Sequence, residues 1–250
     1  MLDRLEHGRG GRFVNKNFPY LLPVRCVIFF LVFIGISLAT GKQPEEIGHL
    51  WSVLATVINI FTIALLILIA HKNKQTYFEL INYEKGKTRI VESIVITLIV
   101  LIVGTGGMYL AGFVCYGKIP YNAPMMIAPI PKALAVLNFI PLPVSTAFAE
   151  DGLYLGYGVN GLKNKYASIL LPAFFFALQH SFIPTLFDVR FMVYRFLSFL
   201  PLTVILCAYY HKKRNPLPVM IGHALIDVAT VTWILITSFN PDYYEMLCRM

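Results

Sequence analysis

Residues 50–70 read LWSVLATVINIFTIALLILIA and contain no charged side chain. As an α-helix, a run of this length extends about 30 Å, which matches the hydrocarbon core of a bilayer. Six further apolar runs are long enough to span, and each is bounded by charges, glycine or proline. The seven runs lie at residues 24–40, 50–70, 90–116, 133–158, 167–187, 191–210 and 217–239. The sequence therefore predicts an all-α protein, a polytopic bundle of about seven transmembrane helices.

The composition indicates the same class of protein. The chain has 250 residues, of which 57% are hydrophobic and 14% are charged, and its mean hydropathy is +0.67. This apolar share exceeds that of soluble domains, and disordered chains show the opposite composition. Seven spans of about 20 residues leave only short loops, so we expect one integral membrane domain without a separate soluble domain.

The formal net charge of +8 is explained by orientation in the membrane. Lysine and arginine residues lie between the apolar runs and do not gather on a solvated face, so no nucleic-acid partner is expected. Most of them, Arg25 included, fall on the cytoplasmic side if the N-terminus is inside and the C-terminus outside. Arg195 is expected to extend from the sixth run toward the outer interface.

The chain divides into a tail and two groups of helices. Residues 1–23 are predicted to be a cytoplasmic tail, residues 24–132 three transmembrane helices with an outer loop, and residues 133–250 a helical core. The run from residue 24 could instead be a signal-peptide core cleaved near Ala39, but the long polar leader and the many later spans favour an uncleaved helix. The four cysteines form no CxxC motif and predict neither a disulfide framework nor a zinc ribbon.

Five ionisable residues lie inside the apolar runs of the second half of the chain, namely Glu150, Asp151, His180, His223 and Asp227. A charge at mid-membrane costs on the order of 2.5–3.5 kcal/mol, so each needs a partner, a water cavity or a function. Counting from the cytoplasmic helix boundaries at about 1.5 Å per residue places four of them at depths of roughly 9 to 20 Å. Three helices are therefore expected to converge on one polar layer.

Helical spacing limits which of these side chains can face one another. His223 and Asp227 lie four residues apart and share a face, whereas Glu150 and the adjacent Asp151 point about 100° apart. One residue of the acidic pair is therefore expected to face the polar layer directly, and the other to support it or to face water.

Three motifs follow one another in this region: Glu150-Asp151-x-x-Tyr154-Leu155-Gly156-Tyr157, Phe176-x-x-x-His180 and His223-x-x-x-Asp227. They resemble the motifs of the CAAX-protease and bacteriocin-processing (CPBP, or Abi) family of intramembrane proteases. That family has Glu-Glu with Arg four residues after the second Glu, then Phe-x-x-x-His, then His-x-x-x-Asn or Asp. Asp151 stands where the second Glu is usual, and Leu155 stands in place of the Arg. The resemblance covers residues 145–235.

The resemblance implies an intramembrane endopeptidase that uses water activated by glutamate and histidine. The implied catalytic residues are Glu150, His180, His223 and Asp227, and the supporting residues are Asp151 and Phe176. Glu150 with His180 would activate the water, while His223 with Asp227 would stabilise the oxyanion or orient the first pair. Because an ionised Asp227 would repel an oxyanion, we expect it to orient His223 or to be protonated. Leu155 leaves a non-catalytic scaffold or immunity protein as an alternative.

Partners and cofactors follow from the same resemblance. Family relatives cleave prenylated CAAX peptides, process leader peptides or bacteriocins, or confer immunity to them, so the expected partners are membrane lipid and a protein or peptide substrate. No cofactor is expected. Zinc held by the four implied catalytic residues is the alternative, although no HExxH helix is present. A proton-coupled transporter would also use intramembrane acids and histidines, but no paired broken helices are found. The expected location is a bacterial plasma membrane.

Overall fold

The computed structural model describes residues 20–249, and within this range the chain is helical and contains no β-strand. Most of the predicted N-terminal tail lies outside the described residues. The helices are α1 (Val24–Thr40), α2 (Pro44–Ile47), α3 (Trp51–Lys72), α4 (Tyr77–Leu80), α5 (Ile90–Tyr116), α6 (Lys132–Asn138), α7 (Pro141–Asp151), α8 (Lys165–Gln179), α9 (Val189–Lys213), α10 (Leu217–Phe239) and α11 (Pro241–Arg249). Gly152–Val159 continues α7 as a π-helix.

The predicted all-α membrane bundle is confirmed, but the count of seven spans is not. Four helical segments are long and apolar enough to cross a membrane: Pro44–Lys72, Ile90–Tyr116, Val189–Lys213 and Leu217–Phe239. A fifth span results if Lys132–Asn138 and Pro141–Val159 are joined. The first and fifth predicted runs form the shorter helices α1 and α8, of 17 and 15 residues. The predicted N-in, C-out orientation stays a prediction.

The fourth predicted run is bent, and its second half changes helix type. Its two parts meet at an angle of 51°, beside Pro141, whose ring nitrogen cannot donate the backbone hydrogen bond that would continue α6. All eight residues of the π-helix are buried. The hydroxyl of Tyr77 in α4 donates a 2.5 Å hydrogen bond to the carbonyl oxygen of Phe148. The short helix α4 thereby supports α7 just before its acidic pair.

The helix α5 runs unbroken through a glycine-rich second half, although its sequence allowed a bend. A Cβ atom added at Gly107 would lie only 2.5 Å from the backbone oxygen of Ser198 in α9, whereas one at Gly106 would meet nothing within 4 Å. Gly107 therefore permits close packing of α5 against α9. This packing fixes α9, which forms one wall of the polar interior.

Candidate active site

Glu150 is buried near the end of α7, and its two carboxylate oxygens have different surroundings. Oε1 accepts a hydrogen bond of 2.8 Å from Nη2 of Arg25. Oε2 is buried and has no hydrogen-bond partner among the described residues. The carboxylate is thus anchored through one oxygen and presents the other to neighbouring groups.

Arg25 is the second residue of α1 and is completely buried. Besides Glu150, its guanidinium donates from Nε to Gln179 Oε1 (2.6 Å), from Nη1 to Thr62 Oγ1 (3.0 Å) and from Nη2 to Asn59 Oδ1 (2.8 Å). The guanidinium therefore links α1, α3, α7 and α8. The expectation that Arg25 belongs to the cytoplasmic surface is wrong, because buried acceptors on three other helices satisfy its donors.

Two imidazole rings face the second oxygen of Glu150. Oε2 lies 4.0 Å from Nε2 of His180 and 3.7 Å from Nε2 of His223. Both distances exceed a hydrogen bond, and a polar contact of this length is one that a single water can bridge. The predicted convergence of α7, α8 and α10 on one polar layer is what the structure shows.

Each imidazole is oriented through its other nitrogen. Nδ1 of His180 lies 2.8 Å from the carbonyl oxygen of Phe176. Because a carbonyl only accepts, Nδ1 carries the proton and the neutral ring keeps Nε2 as an acceptor. Nδ1 of His223 lies 3.3 Å from Oδ1 of Asp151. Both Nε2 atoms are thereby directed toward Glu150.

Asp151, and not Asp227 as the sequence suggested, is the carboxylate next to Nδ1 of His223. The two residues His223 and Asp227 share a helical face, as predicted, but the described residues show no hydrogen bond between them. Asp227 lines the same cavity as Glu150, and its Oδ2 is buried without a hydrogen-bond partner. The expected orientation of His223 by Asp227 is therefore not observed, because a residue on α7 lies closer to Nδ1 than the residue one turn along α10.

Aromatic rings hold the histidines from the sides. The ring of Phe176 stacks on Tyr154 at 4.5 Å between centroids and contacts His223 at 5.7 Å. The ring of Phe199 stacks on His180 at 3.5 Å. Phe176 thus supports the site twice, by its backbone carbonyl and by its ring, in agreement with its expected supporting place.

The polar groups line a cavity of about 320 Å³ between α5, α7, α9 and α10. Glu150, His180, His223 and Asp227 all contribute to its wall, together with Arg195. The expectation that Arg195 extends to the outer interface is wrong, because the residue is only 6% exposed and its guanidinium lies over the Phe199 ring at 4.9 Å. Most other lining residues are apolar.

The zinc alternative stays a prediction. No group of three or more His, Cys, Asp or Glu side chains in residues 20–249 is placed to hold a metal ion. Oε1 of Glu150 is paired with Arg25, and Nδ1 of each histidine is directed at a protein oxygen. Oε2 of Glu150 and Nε2 of the two histidines are left facing one another, at distances of 4.0 and 3.7 Å.

Arg25, Arg195 and Gln179 are polar residues of the site that the sequence analysis does not include, and a signal exists for two of them. Arg25 and Arg195 lie inside apolar runs, where an ionisable residue indicates function by default. The positive-inside pattern instead predicts Arg25 on the cytoplasmic side, and the length of its side chain predicts that Arg195 extends to water. Gln179 directly precedes His180, and its place in the polar network depends on tertiary contacts alone.

Residues 132–229 match the sequence model of a family described as type II CAAX prenyl endopeptidase Rce1-like. The resemblance to CPBP proteases is thereby confirmed, and the matched segment contains all three motifs. Arg25, Asn59 and Thr62 lie outside it. Neither the curated proteins nor the solved structures include a match to this chain.

Proposed function

From the match of residues 132–229 to the Rce1-like family, we propose that the chain is an intramembrane endopeptidase acting on CAAX-type, prenylated protein or peptide substrates. The observation that carries this proposal is the placing of Glu150 Oε2 opposite two oriented imidazoles in a cavity. Peptide hydrolysis within a membrane needs a base for water, a stabiliser for the oxyanion and a surrounding that excludes bulk water.

We propose a role for each group. Glu150 takes a proton from a water held between Oε2 and Nε2 of His180, and the resulting hydroxide attacks the scissile carbonyl carbon. The carbonyl oxygen becomes an oxyanion, which accepts a hydrogen bond from Nε2 of protonated His223, and Asp151 stabilises that imidazolium from behind. When the C–N bond breaks, Glu150 returns its proton to the leaving amine.

Leu155 stands where the family pattern has an arginine, and Arg25 supplies a guanidinium to the site in its place. Leu155 is fully buried in the apolar core and cannot pair with a carboxylate. The guanidinium of Arg25 keeps one oxygen of Glu150 engaged and leaves the other facing the two imidazoles. A non-catalytic scaffold, which Leu155 alone would favour, is thus the second candidate.

Cleavage of fluorogenic peptides by purified protein in liposomes tests the proposal. The peptides end in a farnesylated cysteine and three further residues, with unprenylated copies for comparison. We expect wild type to cleave, and Glu150→Gln and His180→Ala to lose about 100-fold or more, as for removal of a catalytic acid–base group. Glu92→Gln, a boundary glutamate outside the cavity, is the matched control. If folded wild-type protein cleaves no peptide, the result would support the non-catalytic scaffold. If a chelator abolishes cleavage, the result would support the zinc alternative.

A further inference from the structure

Arg195 differs from Arg25 in that no hydrogen bond or ion pair among the described residues engages its guanidinium, although Glu150 and Asp227 lie close enough to interact with its charge. The side chain is 6% exposed, its Nε has no hydrogen-bond partner, and no ion pair within residues 20–249 involves it. A buried charge without a partner is costly, so it is retained in proteins where a ligand or a function requires it. The catalytic steps above do not use this residue.

Its position places the guanidinium of Arg195 beside the proposed chemistry. Arg195 lines the cavity together with Glu150 and His180. Phe199 follows one helical turn later in α9, and its ring contacts both the guanidinium, at 4.9 Å, and the His180 imidazole, at 3.5 Å. This ring limits the rotation of the guanidinium. A group bound by Arg195 would therefore lie close to the bond that is cleaved.

The chemistry of the guanidinium and the size of the cavity together define the ligand. A planar guanidinium binds a carboxylate with two parallel hydrogen bonds. The cavity, about 320 Å³, is at the lower end of ligand-site volumes, roughly 300–1,000 Å³. It holds a short stretch of peptide and no folded domain. A peptide whose last residue lies inside the cavity carries a terminal carboxylate there.

We propose that Arg195 binds the C-terminal carboxylate of the substrate and so sets the distance between the chain end and the scissile bond. The inference rests on the proposed function and assigns to one residue the recognition of the substrate's free C-terminus. An acidic side chain would supply the same chemistry from another source. A purely electrostatic role, balancing Glu150 and Asp227, would affect all substrates equally.

Three peptides of one sequence distinguish these roles: a free acid, a C-terminal amide, and an amide with glutamate as its last residue. We expect wild type to cleave the free acid about 10- to 100-fold better in kcat/KM than the plain amide, the range of a charged hydrogen bond. Arg195→Met should reduce this ratio to about one, mainly through KM. Arg195→Lys should keep part of it, and Arg190→Met, on the same helix but outside the cavity, should leave it unchanged.

Equal cleavage of acid and amide by wild type overturns the inference without any variant, so misfolding of Arg195→Met cannot hide a failure. An equal loss on both peptides in that variant also overturns it. If the amide that ends in glutamate is cleaved as well as the free acid, Arg195 binds an acidic side chain as readily as a terminal carboxylate. That result would overturn the C-terminal assignment.

Binding separates a failure of this inference from a failure of the proposed function. Anisotropy of the three peptides, dye-labelled and added to Glu150→Gln protein, should show the same preference without cleavage. A preference for the acid that depends on Arg195, in a protein that cleaves nothing, would keep the carboxylate site and refute the peptidase. Cleavage without any preference for the acid would keep the peptidase and refute the carboxylate site.

Discussion

Nη2 of Arg25 and Oε1 of Glu150 lie 2.8 Å apart, although 125 positions separate the two residues in the sequence. The first helix therefore contributes directly to the site that the later motifs form. A buried ion pair stabilises a protein only if further hydrogen bonds satisfy both partners. Gln179, Asn59 and Thr62 supply those bonds for the guanidinium.

Removal of Arg25 should destabilise the protein and abolish cleavage. Arg25→Ala leaves the Glu150 carboxylate buried without its ion pair, and breaking a buried pair in this way costs about 3–5 kcal/mol. Thermal unfolding in detergent measures the loss. The exposed Arg89→Ala should change the unfolding free energy by less than about 0.5 kcal/mol. Wild-type stability of Arg25→Ala would show that the ion pair contributes nothing.

Asp151 should matter more than Asp227 for the turnover of the proposed peptidase. Asp151→Asn removes the charge behind Nδ1 of His223, and a charged hydrogen bond of about 1.5–3 kcal/mol corresponds to about 10- to 100-fold in kcat. Asp227→Asn keeps a polar group at a position where the family pattern also has Asn, so a smaller loss is expected. Kinetics with saturating peptide compares the two variants, and the opposite ranking would return the orienting role to Asp227.

Two adjacent glycines of α5 should respond oppositely to the same substitution. Gly107→Ala places a Cβ against the backbone of Ser198, and such overpacking typically costs about 1–3 kcal/mol. Gly106→Ala meets no neighbour and gains helix propensity, worth about 0.5–1 kcal/mol. Melting temperatures of the two variants test this. Equal effects would mean that α5 and α9 are not in close contact at Gly107.

The short helix α4, which supports α7, should lose stability in acid. The backbone N–H of Thr76, and then its hydroxyl, donate to Glu79 and lower the pKa of this carboxyl below its usual range. A lowered pKa in the folded state stabilises the fold above the unfolded pKa, and this contribution is lost as the pH falls through the folded value. Unfolding temperatures between neutral and acid pH should show this loss in wild type and not in Glu79→Gln. Glu84→Gln, in the loop after α4, should behave as wild type.

The helices could be predicted well because length and hydrophobicity alone determine them. The predicted runs at residues 24–40, 90–116 and 217–239 coincide with α1, α5 and α10. The bend before Pro141 and the π-helix after Asp151 depend on backbone details that an apolar pattern does not record. The 51° bend also explains why one predicted span appears as two helices.

The site could be predicted only in part, for a different physical reason. Motif spacing identified the residues that share a helical face, and the structure places Glu150, His180 and His223 together. The spacing of residues along one helix does not determine which residues of another helix they contact. For this reason Asp151 was not predicted as the partner of His223, and Arg25 was taken for a surface charge.

The burial of Arg25 also sets an order of events during synthesis. A chain emerges N-terminus first, so α1 enters the bilayer before Glu150 and Gln179 have been made. Arg25 is the second residue of α1, where its long side chain can reach the interface while it waits. Its withdrawal into the core must then follow the insertion of α7 and α8. The final contacts of α1 accordingly form only after the helices that supply its acceptors are in place.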